Sequence, residues 1–372
     1  MLEKFTVENY KGFSKPITLD FSNTRDYKFN EICIKNGLLN KVIIYGPNSS
    51  GKSNLGYALF DIVGLLTDKN TYYKQTDQFT FLNADSGRTE AVFTYVFKKG
   101  NTRIEYCYKK SDPKTLTYEK LSVDGKVVFE YDFVNQIKTL ENMQLINAEN
   151  LNFDYFQNNF AVLRYVAYNT PQPDDSYIKF IMNYVSNMLW FRSVELNEYI
   201  GFTTGVEKID EWIADNGYAK DFQRFIKTQG NIDVDLDTYQ DPAYNHKLLV
   251  ENHKYNRFIF GSVASSGTKA MQLFYYWSKK FKEVSLLFMD EFDAYYHFEL
   301  AKNIIKILMG FDNMQAIVTT HNSYLADNGL LRPDCYFNIV DGELKSFADS
   351  TDRELREGHN LEKMLRNGEF NG

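Results

Sequence analysis

Residues 39–66 read LNKVIIYGPNSSGKSNLGYALFDIVGLL, and this stretch decides the fold. Its opening, LNKVIIYG, is a short, nearly unbroken apolar run, the pattern of a strand buried in a parallel sheet. Leu55, Ala58, Leu59, Ile62, Val63 and Leu66 then recur at helical spacing. Between the two lies Gly46-Pro47-Asn48-Ser49-Ser50-Gly51-Lys52-Ser53, which matches G-x-x-x-x-G-K-[ST]. A random chain of this length shows that pattern with a probability of roughly one in a hundred, and here the flanking strand and helix agree with it. Glycines let backbone N–H groups turn inward around phosphates, and the helix N-terminus adds a favourable dipole. Lys52 is expected on the β- and γ-phosphates and the Ser53 hydroxyl on Mg²⁺. Gly46 to Ser53, with Asn54 directly after, are the expected nucleotide-binding residues, and ATP with Mg²⁺ the expected ligands.

A loop of this kind needs a carboxylate for the metal at the end of another buried strand. Leu286-Leu287-Phe288-Met289 reads as that strand and Asp290 stands at its C-terminal end. Glu291 follows at once, where a carboxylate can orient and deprotonate an attacking water. A further strand, MQAIVTT, ends at His321, whose imidazole is placed to contact a γ-phosphate and sense its loss. Asp293 sits where a loop reaches toward a second subunit. Taken alone, SVASSGTKAMQLF (262–274) is a plain helix start, with Met271, Phe274 and Tyr275 at helical spacing behind Ser265-Ser266-Gly267-Thr268.

The remaining pattern fits an α/β head. KFTVENYKGF and PITLDFS read as two paired strands, and residues 89–132 as a β-meander with turns at Lys99-Gly100-Asn101 and Asp124-Gly125. Residues 133–240 change character, with helical patterns at 175–191 and 207–227 and no heptads. After NRFIFGS the expected order is helix, strand, helix, strand, helix, and a last strand pair in CYFNIVDGELKSF, the alternation of a parallel sheet with crossover helices. The expected division is an N-terminal lobe at 1–132, a helical insertion at 133–250 and a C-terminal lobe at 251–372. The chain has 372 residues, 24% charged, 44% hydrophobic and 16% aromatic, which argues for a well-packed globular protein and against disorder. Cys33, Cys107 and Cys335 are far apart, odd in number and in no metal spacing, which suits a reducing compartment. No leader-like segment opens the chain and no apolar run approaches ~18 residues, so a cytoplasmic, membrane-free protein is expected. With a net charge of −7, nucleic-acid contact needs a local basic patch.

Assembled, these residues resemble the ABC-type ATPase heads of the SMC/RecF group, and most of all the stand-alone OLD-like ATPases of the AAA15/AAA21 kind. Gly46–Ser53 resembles Walker A, and Leu286–Asp290 with Glu291 looks like Walker B and its catalytic glutamate. Glu291-Phe292-Asp293 is similar to the D-loop and Thr320-His321 to the H-switch. FTVENYKGF resembles the N-terminal strand in which a basic residue, here Lys11, approaches the nucleotide. Ser265-Ser266-Gly267-Thr268 falls where the signature motif lies, departing from Ser-Gly-Gly-Gln/Glu at Ser266 and Thr268. The resemblance then implies that Ser265, Ser266, Gly267, Thr268 and Asp293 serve the nucleotide of a second copy. Gln75 and Gln78 are both candidates for the Q-loop. The chain has no room for a C-terminal TOPRIM nuclease or a long coiled-coil arm, so a separate effector is implied.

Three functions fit. The first is a dimeric ATP-driven switch controlling a separately encoded nuclease or toxin, as in anti-phage systems such as PARIS or in abortive infection. The second is a DNA repair ATPase of RecF type, with Lys98–Lys110 and Lys279–Glu283 as basic candidates. The third is a non-hydrolysing scaffold, against which Glu291 argues.

Overall fold

A computed structural model of the chain describes residues 1–67, 69, 79–153, 160–191, 199–201, 208–240, 242 and 246–371. Its centre is the strand Lys41–Tyr45, buried at every position as the apolar run requires. This strand is flanked in parallel by Gln315–Thr319 on one side and Tyr336–Val340 on the other. Leu286–Met289 lies beyond Gln315–Thr319, followed by Met188–Phe191, all parallel. Antiparallel strands at Tyr199–Gly201 and Glu343–Ser346 close the two edges. A second sheet of seven antiparallel strands runs, in spatial order, 137–140, 126–132, 116–123, 102–110, 91–99, 2–8 and 17–20. It contains the expected N-terminal pair and the meander, so the architecture is α/β with parallel, mixed and antiparallel sheets.

The helix Lys52–Leu66 packs against both sheets. Toward the antiparallel sheet, Tyr95 donates its hydroxyl to the carbonyls of Ala58 and Leu59 at 3.0 and 3.2 Å. Asp61, fully buried on this helix, is paired with Lys110 at 2.7 Å and accepts the Tyr108 hydroxyl at 2.8 Å. Toward the central sheet, Phe60 meets the rings of Trp190 and Phe288 at 5.6 and 6.4 Å. Buried Gln315 bolts the sheets together, giving Nε2–H to Leu2 O (2.9 Å) and accepting Leu2 N–H on Oε1 (2.8 Å). Cys33 and Cys335, remote in sequence, are both buried.

Three expectations are corrected. The helical pattern at 175–191 is a helix only over Tyr177–Ser186, capped by Ser176. Met188–Phe191 is a strand paired with Leu286–Met289, and an apolar run of four cannot tell the two apart. The pattern at 207–227 is two helices, Ile209–Asp215 and Ala219–Gly230, separated at Asn216-Gly217, where Gly217 takes φ 72°. Among the described residues no α-helix lies between His321 and the strand Tyr336–Val340. Asn322 accepts Tyr324 N–H on its side chain, and two 3₁₀ turns, Ser323–Leu325 and Pro333–Cys335, carry the chain to the next strand. Among the described residues no helix is long and apolar enough to cross a membrane. Gln75 and Gln78 lie outside the described residues.

One buried carboxylate links the meander to the middle segment. Glu119 accepts the N–H groups of Val162 and Leu163 at 2.6 and 2.9 Å, at the start of the helix Val162–Asn169, together with the Tyr106 hydroxyl at 2.9 Å. Burial outweighs these bonds and pushes Glu119 up to about 7. The folded state thus favours the protonated form. Its contribution is present in full below the ordinary carboxylate value of about 4.5 and is lost as pH rises through about 7, on the order of 3 kcal/mol. Glu119→Gln is expected to flatten the fall in stability between pH 5 and 8, read by denaturant unfolding.

Candidate functional site

The Gly46–Ser53 loop joins the central strand to the helix Lys52–Leu66. It is a cradle made possible by glycine. Gly51 takes φ 106°, and a Cβ there would lie 2.8 Å from the Phe13 ring. A Cβ at Gly46 would lie 2.5 Å from Ser50 Oγ, a buried hydroxyl with no partner among the described residues. Ser49 also takes a positive φ of 63°, while Pro47, Asn48 and Ser49 are exposed. Lys52 is buried and donates Nζ–H to the carbonyls of Gly46 and Pro47 at 2.9 and 3.0 Å. Burial pushes the Lys52 ammonium down, and the charges of Glu291 and Asp290 oppose this.

Asp290 and Glu291 leave the end of the Leu286–Met289 strand in a bonded turn. Thr319 holds it: its hydroxyl donates to Asp290 Oδ1 at 2.8 Å and accepts Glu291 N–H at 2.8 Å. Glu291 has φ 46°, uncommon for a residue with a Cβ and maintained here by that bond. Its Oε1 lies 3.4 Å from His321 Nε2, and both side chains are about half exposed, at 48% and 38%. Thr320 repeats the pattern, donating its hydroxyl to Asp293 Oδ2 at 2.8 Å and accepting Asn322 N–H at 2.9 Å. Burial pushes Asp293 up, against the Thr320 bond. Thr319 and Thr320 thereby tie the whole 290–293 turn to the end of the strand Gln315–Thr319, just before His321.

Lys11 is held over the rings of Tyr57 and Tyr10 at 5.4 and 5.6 Å. Its neighbour Gly12 leans on the loop's far end, where an added Cβ would lie 3.2 Å from Asn54 Nδ2. Ser265 caps the helix Ser266–Ser278, its Oγ accepting Thr268 N–H at 3.2 Å and contacting Thr268 Oγ1 at 2.8 Å. Ser265 and Ser266 are exposed, Gly267 half-buried and Thr268 buried. The structure therefore ties Asp290, Glu291, Asp293 and His321 into one bonded turn, with Asp290 and Glu291 acting on the charge of Lys52, whereas the side-chain bonds of Ser265 stay within its own turn.

Thr319 and Phe13 were not visible as site residues in the sequence. For Thr319 the available signal was a hydroxyl ending an apolar strand just before His321; for Phe13 there was none. The donors fit a magnesium ion. Ser53 offers a hydroxyl and Asp290 a carboxylate, hard oxygens of the kind Mg²⁺ takes together with nucleotide phosphates. Among the described residues no group of three or more His, Cys, Asp or Glu forms a self-sufficient metal cage.

Several solved structures are similar over most of the chain. An SMC head bound to the C-winged helix domain of ScpA is 15% identical with a TM-score of 0.45, over 92% of this chain and 96% of that one. The SMC head domain from Thermotoga maritima is 16% identical with a TM-score of 0.41, over 92% and 97%. A Smc head with an extended coiled coil, bound to the C-terminal domain of ScpA derived from Pyrococcus furiosus, is 12% identical with a TM-score of 0.44, over 92% and 95%. None of the curated proteins compared matches the chain. Residues 41–327 match the sequence model of the family described as "AAA domain, putative AbiEii toxin, Type IV TA system". That match spans the loop, the 290–293 turn and His321, and the chain belongs to this family of ATP-binding P-loop ATPases.

Proposed function

We propose that this chain is a Mg-ATP-driven switch, in which two copies close over ATP, hydrolysis reopens them, and the closed form controls a separate nuclease or toxin in prokaryotic defence. One observation carries the reading: Glu291 stands in a conformation uncommon for its type, bonded through Thr319 to Asp290 and near His321. A site that only holds nucleotide has no use for a carboxylate kept in strained geometry, whereas a site that activates water does. Glu291 orients the water and takes its proton as the water oxygen attacks the γ-phosphorus and the bond to the β–γ bridging oxygen breaks. Lys52 exchanges its two loop carbonyls for the β- and γ-phosphates, Lys11 approaches the nucleotide beside Asn54, and His321 contacts the γ-phosphate. Ser53 and Asp290 would hold Mg²⁺, which supplies charge neutralisation on the phosphate oxygens.

The exposed Ser265-Ser266 turn supports a role toward a second copy, where its hydroxyl and helix N-terminal N–H groups would complete the other chain's nucleotide site together with Asp293. The alternative, a DNA repair head, needs open basic residues. Four of the eight counted for it are paired instead: Arg103 with Glu3, Lys109 with Glu90, Lys110 with Asp61 and Lys279 with Asp221.

Ser265→Arg tests the switch. It is expected to leave ATP affinity within about twofold, 0.4 kcal/mol or so, and to abolish both ATP-dependent dimerisation, seen by sedimentation, and phosphate release. A variant that dimerises and turns over normally ends the two-copy reading. A neighbouring gene product that binds the ATP-closed form and not the nucleotide-free form would establish the effector.

A further inference from the structure

The middle segment supplies a carboxylate to the turn that carries Ser265–Thr268. Asp210 stands in the first turn of the helix Ile209–Asp215. Its Oδ1 accepts a hydrogen bond from Nε2 of Gln272, a buried residue on the helix Ser266–Ser278. The same carboxylate lies close against Gly261, in the first turn of the short helix Phe260–Val263. A Cβ at Gly261 would lie 2.2 Å from Asp210 Oδ2, so the contact exists only because residue 261 has no side chain. Gly261 precedes Ser265 by four residues and Gln272 follows Thr268 by four. One side chain from outside the two sheets thus clamps the turn on both flanks.

The rest of the middle segment reinforces the clamp. Trp212 stands edge-on to Tyr276 at 4.8 Å, and Phe222 and Phe225 lie against Tyr275 at 5.1 and 5.3 Å. Asp221 accepts the Tyr275 hydroxyl at 2.5 Å. A helix held this firmly by its flank transmits displacement of that flank to its first turn, because packed interiors move as discrete units.

We propose that Asp210 is a positioning residue: by bracketing Ser265–Thr268 it sets the turn in the pose that engages the nucleotide of a second copy, which makes the middle segment a control element for turnover. This rests on the two-copy reading of Ser265. Asp210→Ala is expected to leave ATP affinity within about twofold while lowering turnover and ATP-dependent dimerisation at least about tenfold. Gly261→Ala, which displaces the carboxylate without removing it, should do the same. Because both act through one contact, the double variant should be no worse than the poorer single one, a non-additivity that general loosening of the fold does not give. Should Asp210→Ala lose ATP binding through unfolding, Gln272→Met, which removes the hydrogen bond to Asp210 at similar volume, must show the same selective loss. Turnover like wild type in Asp210→Ala, or additive effects in the double variant, would overturn the proposal while an inactive Ser265→Arg leaves the two-copy reading standing. A fully active Ser265→Arg would overturn both.

Discussion

Glu291→Gln is expected to bind ATP within about twofold of wild type and to hydrolyse it about 10²- to 10⁴-fold more slowly, the usual yield of a general base. The substitution keeps the shape of the side chain and removes only its capacity to take a proton. The backbone is indifferent to the change, since the bond that holds residue 291 uses its N–H and the Thr319 hydroxyl. The side chain is 48% exposed, so the fold loses little. A stalled enzyme accumulates its substrate-bound form, and ATP-dependent dimers should therefore persist in this variant where the wild type's decay. Single-turnover phosphate release alongside equilibrium ATP binding separates the two effects. Unaltered steady-state hydrolysis would remove Glu291 from the mechanism.

Lys52→Ala is expected to fail one step earlier, with ATP affinity lowered about a hundredfold or more. Charge-assisted hydrogen bonds contribute about 1.5–3 kcal/mol each, and 1.4 kcal/mol is a factor of ten in binding. The ammonium is 4% exposed and already stands over the loop, so little has to be reorganised before it meets a phosphate. Its removal also strips Asp290 and Glu291 of the cation that faces them. Turnover then falls because nucleotide is absent, and high ATP concentration restores part of it, unlike the Glu291 variant. Calorimetry that finds unchanged affinity would undo the assignment of the loop.

The loop could be read in the sequence because everything that defines it is local: strand, glycines, lysine and helix lie within 28 consecutive residues. The role of Thr319 could not be, because it arises from the lateral pairing of Leu286–Met289 with Gln315–Thr319, which no spacing reveals. Met188–Phe191 was mistaken for the end of a helix for the same reason; only its parallel partner distinguishes it as a strand. The helix expected after His321 failed on chemistry that was present in the sequence. Asn322, Asn328-Gly329 and Pro333 are all turn formers, and they outweighed the expectation of α/β alternation. The contact of Asp210 with Gly261 had no linear signal, although a glycine at the start of a short helix is what such a carboxylate needs.

The order of strands in the central sheet also constrains how the molecule comes into being. Lys41–Tyr45 has no sheet neighbour from its own part of the chain; both of its partners lie some 270 or more residues downstream, at Gln315–Thr319 and Tyr336–Val340. The antiparallel sheet, whose strands all lie between residues 2 and 140, can pair as soon as it leaves the ribosome. The nucleotide loop cannot. During synthesis at about 5–20 residues per second, the loop waits on the order of 14 to 60 s without its flanking strands. Contacts this distant in sequence are also the slow ones to form. A nascent chain therefore carries its P-loop long before it can engage ATP, and an ATPase built this way stays silent until nearly all of its chain has been made.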